Sequence, residues 1–271
     1  MDTYNPSSWG ERPFDLFILD EFDWSLPSDQ DHLQWNKLCQ KFLSLGAKGR
    51  EPYYEGEFDR EWPRPTEEQI RRIRPLQTTQ ERSVYGEAIW LRTCYLQGSD
   101  RRHEAMLRKV AETAPPEDGP CSRIEKKHCV FDDSDRYDFG DDWARIFTHI
   151  PELVYPTFGP GTLDPENLSA FFTGAFDELA GKIVNHIYLV DEEALRTGLL
   201  KIIWFDAFGK MAWSNFLPPQ YLNDFSSWRD ALGFSNLVET TIAHDDPKCC
   251  RGTLFSNERD LERMVSWKPD N

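Results

Sequence analysis

No apolar run in this chain approaches the roughly 20 residues that a bilayer-crossing helix needs. Met1 to Gly10 also lacks the basic stretch and apolar core of a secretory signal. The expectation from both is a soluble, cytoplasmic protein with no membrane partner. Cysteine is scarce: six thiols in 271 residues are too few and too scattered to staple a chain of this size, so reduced thiols are expected. There is no Cys-x-x-Cys pair, no phosphate-cradling Gly-x-x-x-x-Gly-Lys loop and no Gly-x-Ser-x-Gly nucleophile elbow. These absences remove the commonest zinc, nucleotide and hydrolase signatures. Basic residues are in the minority, 31 against 47 acidic, and the formal net charge of −16 repels nucleic acid as a partner.

What the chain does have is apolar and aromatic residues in quantity. Hydrophobic residues make up 39% and aromatics 14%, which is enough to build a core and unlike the composition of disordered chains. The length suits a single domain over 1–271. The Pro-rich stretch Ala114 to Pro120 marks the place where a helical layer, 1–113, could part from a sheet-containing lobe, 124–271.

The pattern along the chain predicts helices first and strands later. Phe14 to Leu19 reads as a strand ending on Asp20. Trp35, Leu38, Cys39, Phe42 and Leu45 recur at helical spacing behind Ser28 and stop at Gly46. Thr66 and Gln69 have the spacing of a capping box for a helix over Glu67 to Arg74. Val84, Ala88, Leu91 and Tyr95 predict another helix, paired as a hairpin with one that starts at Ser99. Pro165 to Ala180 predicts an amphipathic helix, and shorter ones are expected around Phe225 to Leu232 and Glu258 to Val265. Ile183 to Val190, Leu199 to Phe205 and Lys210 to Ser214 predict a meander whose last turn is Asp206 to Gly209. The fold class expected is α+β, a small and mostly antiparallel sheet in the C-terminal half, covered by helices, after a helical N-terminal half.

Carboxylates at strand ends are where open sheets tend to present chemistry. Here Asp191 and Asp206 follow the first two strands of the meander, and His186 sits within the first. In regular pairing His186 shares a face with Tyr188 and Val190, with Trp204 and Trp213 on neighbouring strands. An aromatic pocket holding His186, bordered by Asp191 or Asp206, would suit a small organic substrate, with imidazole and carboxylate as acid and base.

Two further patterns could hold a divalent metal. Asp133 and Asp135 belong to a run of six aspartates between 132 and 142, a density of hard oxygen ligands that suits magnesium or calcium, or an exposed acidic loop. His244 and Asp246 have the His-x-Asp spacing used by non-haem iron oxygenases, with the third ligand coming from His186, His149 or His128. Asp20 and Asp23, after an apolar run, resemble the nucleophile strand of haloacid-dehalogenase-type phosphatases. Here two residues intervene between the aspartates where that family has one, which spoils the shared aim at one phosphate.

The expectation is therefore an intracellular enzyme acting on a small molecule in an aromatic, acid-lined pocket, with or without a divalent metal. The alternative is a non-catalytic inhibitor or adaptor whose acidic surface docks a basic protein partner.

Overall fold

A computed structural model describes residues 9–54, 64–84, 86–113, 129–155 and 183–223. The helices expected over Pro165 to Ala180 and beyond Asn223 lie outside these residues, as do Ala114 to Pro120. The chain opens with α1 (Pro13–Glu21), α2 (Asp31–Ser44) and α3 (Gly46–Arg50), followed by α4 (Glu67–Ile73) and α5 (Thr79–Ser83). Strand β1 (Ile89–Arg92) and α6 (Ser99–Glu112) come next, then β2 (Val130–Phe131) and the single turn α7 (Ser134–Tyr137). Two short 3-10 segments, Trp143–Thr148 and Pro151–Val154, lead towards β3 (Ile183–Val190), α8 (Glu192–Thr197), β4 (Leu200–Asp206) and β5 (Met211–Leu217).

The strands form one sheet in the order β2-β1-β3-β4-β5. The meander expected from the sequence is its C-terminal half: β3, β4 and β5 run antiparallel, with His186 opposite Trp204 and Trp204 opposite Trp213. Strands β1 and β2 add to the side of β3 in parallel, so the sheet is mixed and the fold is α+β.

Side-chain alternation distributes the sheet between two apolar layers. Ile89, Leu91, Phe131, Ile187, Leu189, Ile203 and Phe205 face the layer built with α1 and α2. Trp90, Tyr188, Val190, Ile202 and Trp204 face the other, together with Met106 and Val110 of α6 and Leu195 of α8. Both faces of the sheet are covered.

Two elements differ from the sequence expectation. Phe14 to Leu19 is helical, and Asp20 lies inside α1 rather than at a strand end. Phe14, Leu16, Phe17 and Ile18 are all buried, so the segment has no polar face and no 3.6-residue period to betray a helix. Its start was nevertheless signalled, since Pro13 takes the first helical position and the Asp15 carboxylate accepts from the backbone N–H groups of Gly10 and Arg12. In the second case the expected helix over Val84 to Tyr95 is β1. Ile89, Trp90 and Leu91 are an unbroken apolar run buried on both sides, as an interior parallel strand demands. The helix hairpin is thus a strand followed by α6. The Thr66 and Gln69 capping box is present as expected, each side chain bonding the other's backbone N–H, at 3.2 and 2.8 Å.

Candidate functional site

The structure does not bring Asp191 and Asp206 together. Asp206 is opposite Ile183 at the start of β3, whereas Asp191 follows its last residue, about 25 Å away at strand rise. Each carboxylate has a local task. Asp191 caps α8 by accepting from Ala194 N–H at 2.8 Å and pairs with Lys201 at 2.9 Å. Asp206 ties the β4–β5 turn by accepting from the N–H groups of Phe208 and Lys210, at 2.8 and 2.9 Å. His186 is buried in the aromatic setting the sequence predicted, 4.9 Å edge-on to the Tyr188 ring and 6.2 Å from Trp204. Asp133 caps α7 through Asp135 N–H, and both aspartates are exposed. Among the described residues no three histidines, cysteines or acids converge as metal ligands. His244 and Asp246 lie outside them.

Two histidines instead face carboxylates, and the group on the far nitrogen separates them. His103 of α6 places Nδ1 3.1 Å from Asp132, which also accepts from Arg92 at 3.0 Å. The Trp90 indole N–H lies 2.8 Å from His103 Nε2. An indole can only donate, so Nε2 must accept and Nδ1 carries the proton given to Asp132. Both nitrogens are committed, which makes His103 a cross-link between β1, α6 and the end of β2. Burial pushes the Asp132 carboxyl up, but the His103 and Arg92 bonds outweigh it and hold the group below its ordinary range.

The second pair is Glu81 and His149. Glu81 ends the first turn of α5, where Thr78 N–H donates to it at 2.6 Å and Glu81 N–H donates back to the Thr78 hydroxyl at 3.1 Å. The reciprocal cap aims the carboxylate inward, and Glu81 is 0% exposed. Arg136 of α7 donates to both of its oxygens through Nη2, at 2.8 and 2.9 Å, and the Tyr137 hydroxyl donates at 2.9 Å. His149, just after the Trp143–Thr148 segment, places Nδ1 3.0 Å from the same carboxylate. Burial raises the Glu81 carboxyl, but the bonds from His149, Thr78 and Arg136 more than reverse this and bring it to about 2. Tyr137 responds in the other direction: burial and the Glu81 charge push its hydroxyl well above the ordinary value.

An ionised Glu81 only accepts, so His149 Nδ1 carries a proton. The 3.4 Å approach of Arg136 to that nitrogen is therefore donor against donor and not a hydrogen bond. Among the described residues Nε2 has no hydrogen-bond partner, and the His149 side chain is 21% exposed. Tyr137 and Phe139 flank it, each with ring centroids 5.6 Å away. A buried carboxylate that orients an imidazole through Nδ1–H and leaves Nε2 free is the arrangement that lets histidine take and return a proton.

Glu81 was not singled out by the sequence analysis, and His149 entered only as a possible iron ligand. The Thr78-x-x-Glu81 spacing was available as a signal for the carboxylate's place in a cap. Nothing in the sequence placed Arg136 or His149 beside it. No protein-family model, curated protein or solved structure matches the chain.

Proposed function

We propose that this protein is an intracellular enzyme acting on a small organic molecule, with His149 as the general acid–base and Glu81 as the group that orients it. One observation carries the proposal: of the two imidazole–carboxylate pairs, only His149 has a ring nitrogen without a hydrogen-bond partner among the described residues. Tyr137 and Phe139, both buried, pack against the imidazole and hold its orientation.

The test is turnover in a mixture of small metabolites followed by mass spectrometry, comparing wild type with His149→Asn. Asparagine keeps an N–H near the position of Nδ1 and can still donate to Glu81, so the fold is retained while the base is lost. Wild type should deplete at least one compound, and the variant should do so about 100-fold more slowly or worse. Equal depletion by both, or no depletion by either, would rule the proposal out.

A second function is favoured by the exposure of Asp133, Asp135, Asp138, Asp141 and Asp142 around α7. Such a surface suits docking of a basic protein partner. Binding of a lysine-rich peptide should then be measurable at low ionic strength, fall steeply with added salt, and weaken when Asp141 and Asp142 are replaced by lysine. Salt-indifferent binding, or none at low salt, would remove this alternative.

A further inference from the structure

Four arginines are buried among the described residues, and three of them face a carboxylate. Arg12 lies 3.8 Å from Glu152, Arg82 2.9 Å from Asp15 and Arg92 3.0 Å from Asp132. Arg50, the last residue of α3, is the exception. It is 1% exposed and makes no ion pair among the described residues. Its Nη2 donates to the Ala207 carbonyl at 2.8 Å, which ties α3 to the β4–β5 turn. Its Nε and Nη1 are buried and have no hydrogen-bond partner among the described residues.

The surroundings are aromatic. The guanidinium lies 5.2 Å over the Phe42 ring, the Tyr54 hydroxyl accepts a hydrogen bond from it, and Tyr155 packs edge-on against Tyr54 with centroids 5.5 Å apart. Burial lowers the Arg50 guanidinium from its ordinary value, while Tyr54, Tyr155 and the more distant Asp206 act in the opposite direction. An arginine remains protonated across the working pH range, so the charge persists in this aromatic setting. A buried charge with open donors is costly unless an opposite charge and hydrogen-bond acceptors complete it.

We propose that Arg50 is the anchor of an anion-binding site, completed by the carboxylate or phosphate group of a small ligand that accepts from the open guanidinium donors. The planar fork of donors matches either group, and the face of Phe42 holds the guanidinium flat for it. Tyr54, which accepts from the guanidinium, is only partly buried, and Phe208, next to Ala207 in the chain, is exposed. The site is independent of His149.

The experiment is thermal unfolding of the full chain in inorganic phosphate, in acetate and in chloride at matched ionic strength, for wild type, Arg50→Met and Arg50→Lys. Wild type should melt a few degrees higher in phosphate or acetate than in chloride, because a ligand that binds only the folded state stabilises it. Arg50→Met should lose that difference. Arg50→Lys should need at least tenfold more anion for the same shift, since a point charge replaces a fork, and it decides the matter if the methionine variant does not fold. Whichever of phosphate and acetate gives the larger shift assigns the ligand group. The proposal is overturned if wild type shows no anion-specific shift, or if either folded variant responds as wild type does.

Discussion

Glu81→Gln should lower stability at neutral pH by about 3 kcal/mol and abolish much of the protein's loss of stability in acid. The Glu81 carboxyl is held at about 2, against 4.5 for an unperturbed side chain. In the unfolded chain the group binds a proton near its ordinary value, and in the folded protein it resists doing so until the pH has fallen much further. Its contribution is thus fully present above about pH 4.5 and is lost as the pH falls towards about 2. Urea titrations of wild type and variant across that interval should converge as the pH drops. Parallel curves, with the same gap at neutral and acid pH, would show that Glu81 is not the linked group. At neutral pH the variant also leaves Arg136 opposite an amide that accepts through one atom only, so the expected loss is a lower bound.

Asp15→Ala should cost about 3–5 kcal/mol, the range for breaking a buried ion pair from one side. Asp15 receives Arg82 at both oxygens, at 2.9 and 3.2 Å, and both side chains are buried. The guanidinium is also held flat, 3.6 Å over the Trp9 ring, so it cannot swing out to water when its carboxylate is removed. The same carboxylate satisfies two backbone N–H groups at the start of α1, which adds a capping loss. The double variant Asp15→Leu with Arg82→Met should recover much of the deficit, because it removes both charges together. Denaturant midpoints of wild type, Asp15→Leu, Arg82→Met and the double variant give the coupling directly. A single variant within about 1 kcal/mol of wild type would contradict a structural role for the pair.

The parts of the fold that could be read in the sequence are those with a local cause. The Thr66 and Gln69 cap, the α2 stripe and the Asp206 to Gly209 turn are each set by residues within a few positions of one another, and each is present. The parts that were misread are buried on every side. In α1 and β1 no polar face exists, so helix and strand produce the same uniform apolar run, and the spacing of Val84, Ala88, Leu91 and Tyr95 was a coincidence. The candidate site was out of reach for another reason. Glu81 meets Arg136 across 55 residues and His149 across 68, and each partner is unremarkable in its own segment. His186 was correctly placed among aromatic rings, yet the acids meant to serve it occupy opposite ends of its strand.

The sheet order has a consequence for how this protein meets other chains. Among the described residues its β2 edge consists of two residues, Val130 and Phe131, and the next two side chains are aspartates. A polypeptide pairing with these residues would copy a two-residue ladder before meeting negative charge. A short, acid-terminated border of this kind discourages edge-to-edge growth of sheets into aggregates.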